Sequence, residues 1–149
     1  MLLGKEGKDM VKQAKRYQEF LEKNNVQGFA VQELNDEAES VMFRSNILVR
    51  GQELPIAVIF DKSIFTIIRV NLAPKAVNDS NMFEATNLMM RLNGRNKAVK
   101  YYLAADASIV LDCVIPAFAG QFSPKLVQAM LQMVCGEVIE HYGEFIPYI

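Results

Sequence analysis

The chain has one histidine, His141, and it lies near the end of a helical stretch, where a protonated imidazole suits the negative end of the helix dipole. No partner for acid–base work is identifiable beside it, so a capping or solvent role is expected. Cys113 and Cys135 are far apart and form no CxxC pair. Together with one histidine they are too few for a zinc site, and free thiols in a reducing cytoplasm are expected. Asp36, Glu37 and Glu39 lack the Asp and Gly spacing of a calcium loop and are read as a solvated turn. The glycines of GKEGKD are too close for a phosphate loop, and no strand precedes them. Asp112 and Cys113 are neighbours in a strand, so alternation sends them to opposite faces and they make no dyad. Asn78-Asp79-Ser80 matches a glycosylation acceptor, which has no meaning in a cytoplasmic chain. No catalytic, cofactor-binding or metal-ligating residue emerges, and a non-enzymatic protein without a cofactor is expected.

Charge narrows the field further. The 149 residues carry 16 basic and 17 acidic side chains, a net charge of -1, so no global field draws nucleic acid or an anionic membrane. Arg91, Arg95, Lys97 and Lys100 cluster around RLNGRNKAVK, but no aromatic ladder accompanies them, and a solvated loop is expected. No stretch approaches the roughly 18 consecutive apolar residues of a membrane span. MLLGKEGKDM lacks the apolar centre of a signal peptide. A cytoplasmic protein of one domain, residues 1-149, is expected.

The elements follow from hydrophobic period. From about Lys5 to Asn25 a first helix stacks Met10, Ala14, Tyr17 and Leu21 on one side. FAVQEL is a short strand, and Val41, Phe43, Ile47 and Val49 mark a second. LPIAVIFDKSIFTIIRV reads as a hairpin whose turn, Asp61-Lys62-Ser63, pairs Phe60 with Ile64. A middle helix runs from about Met82 to Leu92, with Asn81 and Glu84 as a capping-box-like start and Asn93-Gly94 as its stop. AVKYYLA and SIVLDCVI form another hairpin. The last helix opens at Ser123 and Pro124, carries Val127, Met130 or Leu131, Val134 and Val138 inward, and ends at Gly143. The expected fold class is α+β: three helices and an antiparallel sheet of about five to six strands, in the order α-β-β-β-β-α-β-β-α.

Parity sorts the strand residues into faces. Leu54, Ile56, Val58, Phe60, Ile64, Ile68 and Val70, with Val99, Tyr101, Leu103, Ile109, Leu111, Cys113 and Ile115, are assigned to the core. The opposite face would carry Ala57, Ile59, Phe65, Ile67, Tyr102, Val110 and Val114, joined by Met42 and Leu48, with Arg44, Arg69, Lys100 and Asp112 among them. So much contiguous apolar surface calls for a cover. The candidates are the chain's own middle helix or tail, a second copy, or a peptide partner. The middle helix adds Met82, Phe83, Met89 and Met90, and methionine is over-used at adaptable binding surfaces.

The succession of a helix, a strand meander, a middle helix after SIFTIIRVNLAP, another hairpin and a last helix opening at FSPKLVQAMLQMV resembles the type III secretion chaperone-like fold. More closely, it resembles the YbjN-like bacterial proteins, often labelled sensory transduction regulators. The resemblance brings no catalytic motif. It implies a small homodimer that binds a protein or peptide client, or regulates, without catalysis. It also implies that Met82, Phe83, Met89 and Met90 join the second sheet face as the contact surface. The alternative is a small-molecule binder or enzyme with a pocket between sheet and helices, where Asp112, Tyr101 or His141 would converge.

Overall fold

The computed structural model describes residues 10–149. The expected helix start at Lys5, the GKEGKD stretch and most of MLLGKEGKDM lie outside them. Among the described residues the elements are α1 (Lys12–Lys23), β1 (Ala30–Glu33), β2 (Val41–Val49), β3 (Gln52–Phe60), β4 (Phe65–Ala73), α2 (Met82–Arg95), β5 (Val99–Leu103), β6 (Ile109–Pro116) and α3 (Pro124–Phe145). Short 3₁₀ turns cover Ala119–Gln121 and Ile146–Tyr148. The six strands form one antiparallel sheet in the order β1-β2-β3-β4-β6-β5. This is the α+β arrangement expected. Among the described residues no helix is long and apolar enough to cross a membrane.

Local chemistry sets the hairpins. Arg50 and Gly51, both at positive φ, make the two-residue turn that pairs Val49 with Gln52. The β3–β4 turn is wider than the sequence suggested. The Asp61 carboxylate accepts from the Ser63 amide at 2.8 Å and its hydroxyl at 2.6 Å, and Phe65 N donates back to Ser63 Oγ. Ile59 therefore faces Ile67, and the register is displaced by two residues from a Phe60–Ile64 pair. An even displacement keeps every side chain on its face. It does expel Ile64, which is exposed in the turn, while Thr66 takes a buried place. Leu103, at the end of the outer strand β5, is also exposed rather than in the core.

The other core assignments hold, and one apolar cluster joins the inner sheet face to Ala14, Tyr17 and Leu21 of α1, to α2, and to the buried side of α3. Leu131, not Met130, makes the inward step in α3. Tyr17 sits at the centre, with ring centroids of Phe43 and Phe60 at 5.1 and 5.4 Å. Its hydroxyl donates to Gln128 Oε1 at 2.9 Å, tying α1 to α3, and burial pushes the phenol well above its ordinary pKa.

Several helix ends differ from expectation. Ser123 caps α3 as expected, accepting from Leu126 N at 3.1 Å. Asn81 does not build a capping box: its side chain turns back, accepting from Asn78 N and donating to Ala76 O. Gly143 does not stop α3, which continues to Phe145. There the missing side chain makes room for the Arg50 guanidinium, which lies 2.8 Å from where a Cβ would be. Likewise α2 runs through Asn93-Gly94 to Arg95. Asn93 has another task. Its Oδ1 accepts from Tyr101 N at 2.7 Å and its Nδ2 donates to Tyr101 O at 3.0 Å. Since β5 is an edge strand, this bidentate clasp occupies the backbone groups that an incoming strand would use.

Candidate functional site

All three helices contribute their buried residues to the same core, so they lie on one side of the sheet. No described element covers the other side. Register lays out its surface row by row. Met42 faces Ile59, Ile59 faces Ile67 and Ile67 faces Val114, an unbroken apolar row across four strands. Phe65, 47% exposed, lies one step further along β4, opposite Pro116.

The neighbouring row is polar. Arg44 faces Ala57, which faces Arg69, then Asp112, then Lys100. Arg69 grips Asp112 bidentately, Nε to Oδ1 at 2.8 Å and Nη2 to Oδ2 at 2.9 Å. The Tyr102 hydroxyl donates to the same carboxylate at 3.1 Å. The bond to Asp112 raises the Arg69 pKa, and partial burial, then the Asp112 charge, raises that of Tyr102. Among the described residues Arg44 donates to a neutral acceptor, Gln32 Oε1, at 2.9 Å.

Beyond this row the sheet opens. Pro55 lies in β3 opposite Asn46 and has no N–H to give a further neighbour. The β3–β4 ladder ends at Ile56 and Val70, one step before it. A cleft of about 560 Å³ lies there, bounded by Gly28, Met42, Arg44, Pro55, Arg69 and Asn71. Asn71 Oδ1 is out of water and has no hydrogen-bond partner among the described residues. Sequence reasoning missed this cleft. The one available signal was a proline inside a strand-like run, because its absent donor tells where a neighbouring strand stops.

The structure separates the residues that the sequence grouped. Ile59, Phe65, Ile67, Tyr102 and Val114 share the open face. Val110 belongs to it by register, between Asn71 and Tyr102, yet is only 5% exposed. Met82, Phe83 and Met90 are exposed on α2, on the helical side of the sheet, with Phe83 at 75%. Met89 is 6% exposed and packs in the core, so only its neighbours offer surface.

The titratable groups do not converge on one pocket. Asp112 is on the open face, whereas Tyr101 is in the core and donates to Glu137 Oε2 at 2.6 Å. Burial, then that bond, raises the Tyr101 pKa. His141 does have a partner, contrary to the sequence reading: Nδ1 lies 2.8 Å from Glu144 Oε2, and Arg91 holds the other oxygen of that carboxylate. His141, then Arg91, lowers the Glu144 pKa. Glu137, Glu140 and His141 each bring a ligand-type atom within 4.8 Å of the others, a grouping visible in the i, i+3, i+4 spacing of EVIEH. Glu137 Oε2 is already engaged by Tyr101 and Asn96, which gives this cluster a structural task in joining α3 to α2 and β5. Cys113 is a free thiol in the core and Cys135 a partly buried one.

No protein-family model matches this sequence, and no curated protein matches it. Among solved structures the fold is similar to that of "YbjN, a putative transcription regulator from E. coli". The likeness covers 91% of this chain and 94% of that one, with a TM-score of 0.53 and 9% identity. At that identity it is a likeness of fold.

Proposed function

We propose that this chain is a non-catalytic regulatory or protein-binding module, acting in the cytoplasm as a homodimer joined through the uncovered face of its sheet. The observation that carries the reading is the apolar row from Met42 to Val114, continued by Phe65, on a face that no described helix approaches. An apolar centre with Arg and Tyr around it has the composition of an interface. The fold likeness to a protein described as a regulator is consistent with a binding role.

Size supports a second copy as the cover. Six strands about 4.8 Å apart and roughly 25 Å long present about 600 Å². Two such faces would bury about 1,200 Å², the lower end of specific interfaces. The Asn93 clasp on Tyr101, at the middle of the β5 edge, argues against pairing through that edge instead. An extended client laid along the same row is the competing occupant.

Sedimentation velocity across the micromolar range tests this. The wild-type chain should shift from monomer to dimer with concentration. Phe65→Asp places a charge in the contact without touching the core, and should weaken association by about 30-fold or more, as loss of an aromatic anchor does. A wild-type chain that stays monomeric at the highest concentration would remove the homodimer.

A further inference from the structure

We propose that His141, Glu137 and Glu140, on one face of α3, bind a divalent first-row transition-metal cation such as zinc. The imidazole carries the argument. Its Nδ1 lies 2.8 Å from Glu144 Oε2, and Arg91 holds the other oxygen of that carboxylate. An ionised carboxylate only accepts, so the proton sits on Nδ1 and the lone pair on Nε2. A carboxylate behind the ring is the arrangement that aims a histidine at a metal and raises its basicity. Among the described residues Nε2 has no hydrogen-bond partner. It faces Glu137 Oε1 at 3.8 Å and Glu140 Oε2 at 3.9 Å. Both distances are too long for hydrogen bonds. They do match ligands that share one ion: zinc bonds of about 2.0–2.2 Å put two ligand atoms roughly 3–4.2 Å apart.

The first carboxylate is held from outside the helix that carries it. Glu137 Oε2 accepts from the Tyr101 hydroxyl of β5 at 2.6 Å and from Asn96 Nδ2, just past α2, at 3.0 Å. Those bonds fix the group and leave Oε1 turned toward His141. The side chain of Glu137 is 11% exposed and that of His141 18%, so two of the three ligands are largely withdrawn from water. Glu140, 74% exposed, is free to swing in and complete the set, whose three ligand atoms already lie within 4.8 Å of one another. One imidazole with two carboxylates suits zinc and its neighbours. Calcium takes more oxygens than this set offers, and magnesium keeps a shell of oxygens, mostly water. The site belongs to α3, on the helical side of the sheet, so it is separate from the apolar row and does not depend on self-association.

Titration of the untagged full chain with zinc chloride, followed by nitrogen NMR of the imidazole, tests the site. His141 is the one histidine of the chain, so its ring signals need no assignment. Zinc should move the Nε2 resonance in a saturable way while Nδ1 keeps its proton, and magnesium or calcium at the same concentration should not. Glu140→Gln alters an exposed side chain, and should weaken zinc binding about tenfold or more with the rest of the spectrum unchanged. The proposal fails if excess zinc leaves Nε2 unmoved, as it would if the metal went only to Cys113 or Cys135. It also fails if Nδ1 is the nitrogen that moves, if calcium moves the ring as far as zinc does, or if Glu140→Gln binds as the wild type does. Sedimentation reads the dimer separately, so either result can fall without the other.

Discussion

Ile68→Asp should prevent folding, while Ile67→Asp, one residue away, should fold and fail to associate. Ile68 is fully buried on the inner face, among the residues joined to Tyr17 and the helices. A carboxyl group there must either stay ionised without a partner or take up a proton, and either choice costs several kcal/mol. Typical domains hold only about 5–15 kcal/mol in reserve, so little or no native protein should remain at moderate temperature. Ile67 points the other way, between Ile59 and Val114 on the uncovered face. Ile67 is only partly buried, so an Asp at that position still reaches water. It should cost about 1 kcal/mol through lost cross-strand contact and poor strand propensity. Circular dichroism and thermal melts separate the two variants, and sedimentation then shows Ile67→Asp as a monomer. If both variants unfolded to the same extent, the face called open would be part of a core.

The largest effect of a truncation is expected at Tyr17. Tyr17→Ala should lose about 3–5 kcal/mol, the usual cost of deleting a buried ring, because four aromatic neighbours would be left around a cavity. Tyr17→Phe keeps the ring and removes only the bond to Gln128, at about 1 kcal/mol. Urea midpoints of the two variants, at unchanged slope, measure the difference. A Tyr17→Ala loss below about 1 kcal/mol would mean that α1 does not pack as described.

Which parts of this were legible in the sequence follows from their range. Strand faces were legible, because side-chain alternation has a period of two, and even a two-residue error at the Asp61–Ser63 turn left Ile67 and Ile68 on their correct sides. The errors fall where periodicity gives out. Ile64 and Leu103 sit in a turn and at a strand end, and Asn81 and Gly143 have turn and cap chemistry that yields to local contacts. In α2 the helical step puts Met89 on the side of Ala85 and Leu92 and Met90 on the other, and Met89 is indeed buried and Met90 exposed; the error was to give both to one contact surface. The cleft was not legible, because it assembles from the Gly28 loop, β2, β3 and β4. The surface row itself depends on strand order, with β6 placed between β4 and β5. Without that order, Val114 has no reason to extend the line from Ile67.

The central claim is that a second copy covers the outer face of the sheet. Its most direct test is methyl NMR with a water-soluble paramagnetic cosolute, read at Ile59, Ile67 and Val114 in concentrated and dilute samples. The account predicts that these methyls are shielded in the concentrated sample and broaden on dilution, while Ile68 and Leu111 stay protected throughout. Equal broadening of Ile59, Ile67 and Val114 at every concentration, with shielding instead at Met82 and Met90, would contradict it.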